Sequence, residues 1–319
     1  MRMLIRVLAA TEMLVLAALP AFAQYPAKPV RIIVPFPAGT PFDLATRAIA
    51  QPLAHSLGQS VVVENRAGAE GVVAGAAVAK SPPDGYTLFL ASSSLQATPA
   101  LRKNPPFDPL ADFTPITAIG SFSFFLFTNA SVPANSLSEL IDYARARPGK
   151  LNYAATNPTS RLAFVQLTSM ANLVMEYVPY KGDVLAFGDL MNGRVQMIIG
   201  PPMIWLPQVK AGKVRALVTL LGRRSPLLPD VPTMAESGLP SISFVPRASL
   251  FGPAGLPRDI VDRLNREVRA ILARQDIREQ LDKLAFDAGG STAEELAAYI
   301  REQVEVWRST ARKAGIEPE

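Results

Sequence analysis

Cysteine is absent from the 319 residues and histidine occurs once. The first absence rules out disulfides and thiolate chemistry, and with a single imidazole it also rules out a Cys/His zinc site. His55, in "QPLAHSLGQ", falls in the last turn of a helical pattern, where a cation is favoured, and reads as a surface residue. No G-x-S-x-G elbow is present, and no carboxylate pair stands at a strand end with a spacing that suggests acid–base work. A catalytic constellation is therefore missing. Long apolar runs are missing too: beyond the N-terminus nothing reaches the roughly 18 residues of a membrane-spanning helix. Nor is there a basic cluster. The net charge of +5 is spread along the chain, and "PRDIVDRLNREVRAILARQDIREQLDK" mixes both signs at helical spacing, as on a solvated helix face. A nucleic-acid binder gathers its cations on one face, so no such partner is expected.

What is present begins at the N-terminus. Arg2 and Arg6 precede an apolar stretch and the small-residue site Ala21-Phe22-Ala23, the pattern of a cleaved secretory signal peptide over residues 1–23. Glu12 interrupts the stretch, and Met13–Leu19 is too short for a bilayer, which takes roughly 20 residues. The expected product is a soluble periplasmic protein. Removing 23 of 319 residues leaves 296, enough for about two domains. Without Arg2, Arg6 and Glu12 the balance is 30 basic to 26 acidic residues, a mild positive field that favours small anions.

Strand-like runs alternate with helical patterns: "VRIIVP" before "PFDLATRAIAQPLAHSLG", "SVVVEN" before "GVVAGAAVAKS", then "YTLFLA". A second series follows, with "KLNYAA" before "RLAFVQLTSMANL" and "MEYVPY" before "DVLAFGDLMNG". Such alternation predicts an α/β fold in which each lobe is a mostly parallel sheet flanked by helices. Two extended runs, "IGSFSFFLFTNASVPANS" and "SISFVPRASLFGPAGLP", flank the second series and predict two crossings between lobes. The expected layout is a discontinuous first lobe, 24–126 and 246–319, a second lobe over 127–245, and a cleft between them. Two closing helices are expected over Arg258–Leu284 and Thr292–Lys313, the second opened by a Thr292/Glu295 capping box.

The stretch "PFPAGTPFD", residues 35–43, joins the first strand to the first helix. In α/β sheets ligands bind at strand C-terminal ends, and a helix N-terminus offers free N–H groups and positive dipole to an anion. Gly39 allows close backbone approach and Ala38 leaves the path clear, while Asp43, in the first turn, is expected to organise the loop rather than touch a ligand. Lacking G-x-G-x-x-G and a Walker lysine, the loop disfavours dinucleotides and nucleoside triphosphates. Alone, it is equally compatible with a plain βα turn.

Further motifs follow in order: "LGQSVVVENRAGAEG", "PPDGYTLFLASSS", "SVPANSLSELIDYARARPGKLNYA", "VPYKG", "VKAGKVRAL", "RRSPLLPDVPTMAESGLP" and "GPAGLP". Through them the mature chain, over nearly all of residues 25–315, resembles the Bug family of periplasmic solute-binding proteins, the TctC-like receptors of tripartite tricarboxylate transporters. The resemblance implies a two-lobed type II Venus-flytrap fold without catalysis, cofactor or metal. It implies a small organic carboxylate as ligand, and membrane permease subunits or a signalling partner as partners; a monomer is expected. By position it implies first-lobe contacts from Phe36, Gly39, Thr40, Pro41 and Phe42, with Ser92 and Ser93 of "ASSSLQA". The implied second-lobe contacts are Thr156, Asn157, Thr159 and Ser160, with Tyr180 and Lys181 of "VPYKG" nearby and Gly200 after "VQMII".

Three departures from the family pattern bear on the ligand. Two glycines usually follow "PFPA"; here the run is Gly39-Thr40-Pro41, and proline has no N–H, so one backbone contact is lost or passes to the Thr40 hydroxyl. "TNPTSRLAF" is short and glycine-free, and puts Arg161 where a histidine is expected. Gly200-Pro201 stands where Asp-Asn is common, which removes an acid able to pair with a ligand amine. One acid fewer and one guanidinium more point to a mono-, di- or tricarboxylate and away from an amino acid. Phe36, Phe42 and Trp205 as apolar walls suggest an aromatic or longer-chain acid. Two other readings stay open: an exported α/β enzyme acting on a carboxylate, and a sensor or interaction protein with a degenerate cleft.

Overall fold

The structure, a computed structural model, describes residues 25–318; the expected signal peptide lies outside them. One sheet contains β1 (Val30–Val34), β2 (Val61–Asn65), β3 (Thr87–Ala91), β4 (Phe113–Phe122), β10 (Arg247–Pro253) and β11 (Phe286–Ala288), in the order β11-β4-β10-β3-β1-β2. The other contains β5 (Phe125–Asn129), β6 (Asn152–Ala155), β7 (Glu176–Pro179), β8 (Met197–Gly200) and β9 (Val214–Thr219), in the order β7-β6-β8-β5-β9. The chain changes sheet between Phe122 and Phe125 and returns between Thr219 and Arg247, so β5 starts two residues before position 127.

Both sheets are mixed rather than mostly parallel in their pairings. β1 pairs in parallel with β2 and β3, and β6 with β7 and β8, whereas β10 is antiparallel to β3 and β4, and β5 to β8 and β9. The reason lies in the crossings. Strands of βαβ units run toward the cleft with their C-terminal ends there, but β5 and β10 enter their lobes from the cleft and run away from it. Each slots between two strands of opposite direction.

Local sequence explains most elements. β1 and β3 are central strands buried along nearly their whole length, which suits their continuous apolar runs. Helix α1 (Pro41–Leu57) is capped by Thr40, has Pro41 in its first position and ends on left-handed Gly58; it buries Ala45, Ile49 and Leu53 on one stripe. Five helices follow the next strands: α2 (Val72–Ala79), α3 (Ser94–Leu101), α4 (Leu137–Arg145), α5 (Pro158–Ala171) and α6 (Asp183–Met191), with the short α7 (Leu206–Lys210) after β8. The helix expected over Arg258–Leu284 is in fact two, α8 (Arg258–Ala273) and α9 (Gln275–Asp282), broken at extended Arg274. Val268, Ile271 and Leu272 form the first buried stripe, but Ile277 and Leu281 are out of phase with it. Continuing α8 would turn Gln275 and Glu279 inward; the break resets the phase.

The last helix, α10 (Ala293–Lys313), opens with the capping box, Thr292 N–H to the Glu295 carboxylate at 2.8 Å and Glu295 N–H to the Thr292 hydroxyl at 3.1 Å. It packs on α3 and β4 of the first lobe and on α5 of the second. Trp307 and Ala311 are buried in the same apolar cluster as Leu162, Phe164 and Phe244, which brings the end of α10 to the cleft.

Candidate functional site

A cavity of about 280 Å³ lies between the lobes, and the starts of three helices meet on it. Phe42 is the second residue of α1; Ser93 and Ser94 cap and open α3; Asn157 caps α5, with Pro158 and Thr159 opening it. A helix start carries unbonded N–H groups and the equivalent of about half a positive charge. Glu70 is the one charged residue in the lining, so the attraction for an anion comes from the helix ends. The rest of the wall is apolar. The Phe36 and Phe42 ring centroids stand 4.5 Å apart, the tilted Phe122 ring lies 4.6 Å from Phe42, and Phe124, Leu101 and Trp307 complete the surface.

The loop that carries Phe36 and Phe42 is held from beneath by buried Asp43. Its carboxylate accepts the Gly39 N–H at 2.9 Å, the Arg47 Nε at 3.0 Å and the Asn65 Nδ2 at 2.9 Å, and Asn65 also donates to the Phe36 carbonyl. Burial alone raises the Asp43 pKa; the Arg47 guanidinium and the Gly39 and Asn65 donors outweigh it and hold the carboxyl below its ordinary value. Gly39 has φ +80°, a left-handed turn that suits glycine. Its N–H is therefore taken by Asp43. The Thr40 hydroxyl is taken as well, donating to the Pro37 carbonyl at 2.8 Å and accepting the Asp43 N–H at 3.4 Å. Leu44 N–H bonds to the Thr40 carbonyl. Pro41 has no N–H, so Phe42 N–H is the donor of this first turn without a partner among the described residues.

A second cavity, about 490 Å³, adjoins the first and shares Glu70, Leu101, Asn157 and Pro158 with it. Arg102, Thr156, Arg161, Tyr177, Tyr180 and Glu317 also line it. The Arg161 guanidinium lies 4.7 Å over the Tyr177 ring and donates to the Ala314 carbonyl at 3.2 Å. Thr156 donates to Asp183 at 2.7 Å, and Tyr180 to Asp189 at 2.6 Å; burial first, then that carboxylate, push the Tyr180 pKa up to about 12. Ser93 also serves the hinge, donating to the Val245 carbonyl at 2.8 Å and accepting the Arg247 N–H at 2.9 Å. The Ser92 and Ser94 hydroxyls bond each other at 2.7 Å.

The structure thus brings Phe36, Phe42, Ser92, Ser93, Asn157 and Thr159 to the smaller cavity, and Thr156, Arg161 and Tyr180 to the larger. Gly39, Thr40, Pro41, Ser160, Lys181 and Gly200 line neither. Ser160 is fully buried inside the α5 cap, bonded to Thr156 and Asn157, and Lys181 is exposed. Trp205 is no cleft wall; it is buried against Phe127 and Phe187 in the second lobe's core. An acid from another element does stand close to the Gly200 backbone, although it reaches neither cavity. Asp183 Oδ1 lies 3.6 Å from where a Gly200 Cβ would stand, behind Thr156 and outside both cavities. Glu70 and Glu317 add carboxylates in the larger cavity, so a ligand amine is not excluded for want of an acid.

Sequence reasoning missed Glu70, Arg102, Phe124 and Trp307. A signal for the first lay in "GAEG": Gly68, Ala69, Glu70 and Gly71 all have positive φ, and a side chain on Gly71 would press on Ser94 and Pro35 at 3.0–3.1 Å. Among the described residues no group of His, Cys, Asp or Glu is arranged to hold a metal ion.

Residues 45–316 match the tripartite tricarboxylate transporter family receptor. BugT of Bordetella pertussis is 36% identical over 300 residues, covering 91% of this chain and 90% of BugT. The R. palustris protein Rpa4515, solved with adipate, is similar at TM-score 0.72 and 32% identity, over 92% of this chain and 100% of that one. MatC from Rhodopseudomonas palustris, solved with bound malate, is similar at TM-score 0.66 and 30% identity, over 90% and 99%. The matched family is one of transporter receptors rather than enzymes, which removes the enzyme reading. The chain belongs to the tripartite tricarboxylate transporter receptors, the family of the Bug proteins.

Proposed function

We propose that the protein captures a small organic carboxylate in the periplasm, after loss of residues 1–23, and presents it to the permease subunits of a tripartite tricarboxylate transporter. The observation that carries this is the convergence of three helix N-termini on one cavity with no cationic side chain in it. The carboxylate sits among Phe42 N–H and the starts of α3 and α5. The carbon skeleton meets Phe36, Phe42, Phe124 and Trp307, a wall that suits an aromatic or extended acid. Relatives solved with adipate and malate support the ligand class. Both lobes of the cleft come from one chain, so a monomer suffices.

Native mass spectrometry of protein purified without denaturation, followed by thermal shifts with mono-, di-, tri- and aromatic carboxylates, tests the proposal. A binder at a hundredfold excess over its Kd stabilises by about 2.7 kcal/mol, a rise of several degrees, and is recovered unchanged. Turnover of the acid, or no shift with any acid, overturns the proposal; the second outcome favours a degenerate cleft.

A further inference from the structure

The larger cavity is balanced in charge. Its charged lining consists of two guanidinium groups, Arg102 and Arg161, and two carboxylates, Glu70 and Glu317, none of them in an ion pair among the described residues. Glu70 comes from the first lobe and Arg161 from the second, so they face the same space across the cleft. Glu70 is held there against its backbone preference. Ala69 and Glu70 have φ +45° and +57°, a left-handed conformation that side-chain-bearing residues disfavour and glycine adopts freely. A carboxylate kept in that conformation beside an anion site repels the ligand unless a cation answers it. Arg102, on the same lobe, donates to the neighbouring Ala69 carbonyl at 3.5 Å, and Arg161 is the cation on the opposing lobe, oriented by the Ala314 carbonyl and the Tyr177 ring.

We infer that Glu70 is the built-in counter-anion of Arg161, and that the receptor therefore selects acids with one carboxylate and an uncharged distal end. The inference rests on the carboxylate reading above. The ligand's carboxylate occupies the helix-end cavity, and its far end passes Asn157 and Pro158, common to both cavities, into a compartment already neutral. A second ligand carboxylate in this compartment is repelled by Glu70 as much as it is drawn by Arg161; a ligand ammonium is drawn by Glu70 and repelled by Arg161.

Three acids of matched length isolate the distal charge: 6-hydroxyhexanoate, adipate and 6-aminohexanoate, with their shorter and longer homologues. Calorimetric titration of wild type is expected to favour the hydroxy acid by about tenfold over both others. Glu70→Gln, which keeps the left-handed residue non-glycine, should raise adipate affinity about tenfold and leave the hydroxy acid within about threefold. Arg161→Gln should do the same for 6-aminohexanoate, and the double variant should lose both gains. An unchanged adipate-to-hydroxy ratio in Glu70→Gln overturns the inference. So does a wild type that prefers 6-aminohexanoate and loses it in Glu70→Gln, because Glu70 then serves a ligand ammonium. Wild type that binds no carboxylate at all sinks the carboxylate reading instead.

Discussion

At the scale of single residues, buried Asp43 and half-buried Asp183 carry opposite pKa shifts. Asp43 is held below its ordinary pKa, so its contribution to stability is present above the unfolded value of 3.8 and is lost as pH falls through the lower folded value. Asp43→Ala is expected to cost about 2–3 kcal/mol near neutral pH, by urea unfolding, with the deficit shrinking in strong acid. Asp183 is the reverse: burial raises its pKa although Thr156 donates to it. Its ionisation opposes folding, so the stability it allows is present below 3.8 and declines as pH rises toward the folded value. Asp183→Asn should therefore raise the melting temperature at neutral pH and not near pH 3. The sequence shows Asp43 in a first helical turn, a local fact. It cannot show that Asp183 fills the space left by Gly200, because that contact joins the start of α6 to the end of β8.

At the scale of elements, the proposed anion site draws on the starts of α1, α3 and α5, and, like α5, which opens on Pro158, α1 opens on a proline and has no N–H at its first position. Pro41→Ala adds an N–H at the first position of that helix, and binding of a confirmed carboxylate should tighten by about fivefold, near 1 kcal/mol, in calorimetric titration. Unchanged affinity would show that the ligand does not reach α1. Element limits were legible wherever a cap or periodicity is local, as at Thr292 and Glu295 or along "VRIIV". The α8–α9 break was not, because no proline or glycine marks Arg274. Only the need to bury Ile277 and Leu281 on the same core as Ile271 and Leu272 imposes it.

At the scale of the whole molecule, α10 ties the lobes together through Trp307, which is buried among second-lobe residues and lines the cleft. Trp307→Ala is expected to destabilise by about 3–5 kcal/mol and to split one calorimetric transition into two as the lobes uncouple. A milder change reports on the site. Carboxylate binding should alter tryptophan fluorescence in wild type and in Trp205→Phe, and much less in Trp307→Phe. A ligand-induced change that survives in Trp307→Phe and vanishes in Trp205→Phe would move the binding site away from the cleft.

By itself the sequence determined the α/β class, the two series of units and the family, because these rest on periodicity, caps and ordered motifs that neighbours along the chain fix. It also placed Phe36, Phe42, Ser92 and Asn157 at strand ends, where a cleft must form. The tertiary structure decided which of the two tryptophans reaches that cleft. It also set the direction of β5 and β10 and the facing of Glu70 and Arg161 across it. These depend on how two lobes and a bridging helix pack, over sequence separations that no local pattern encodes.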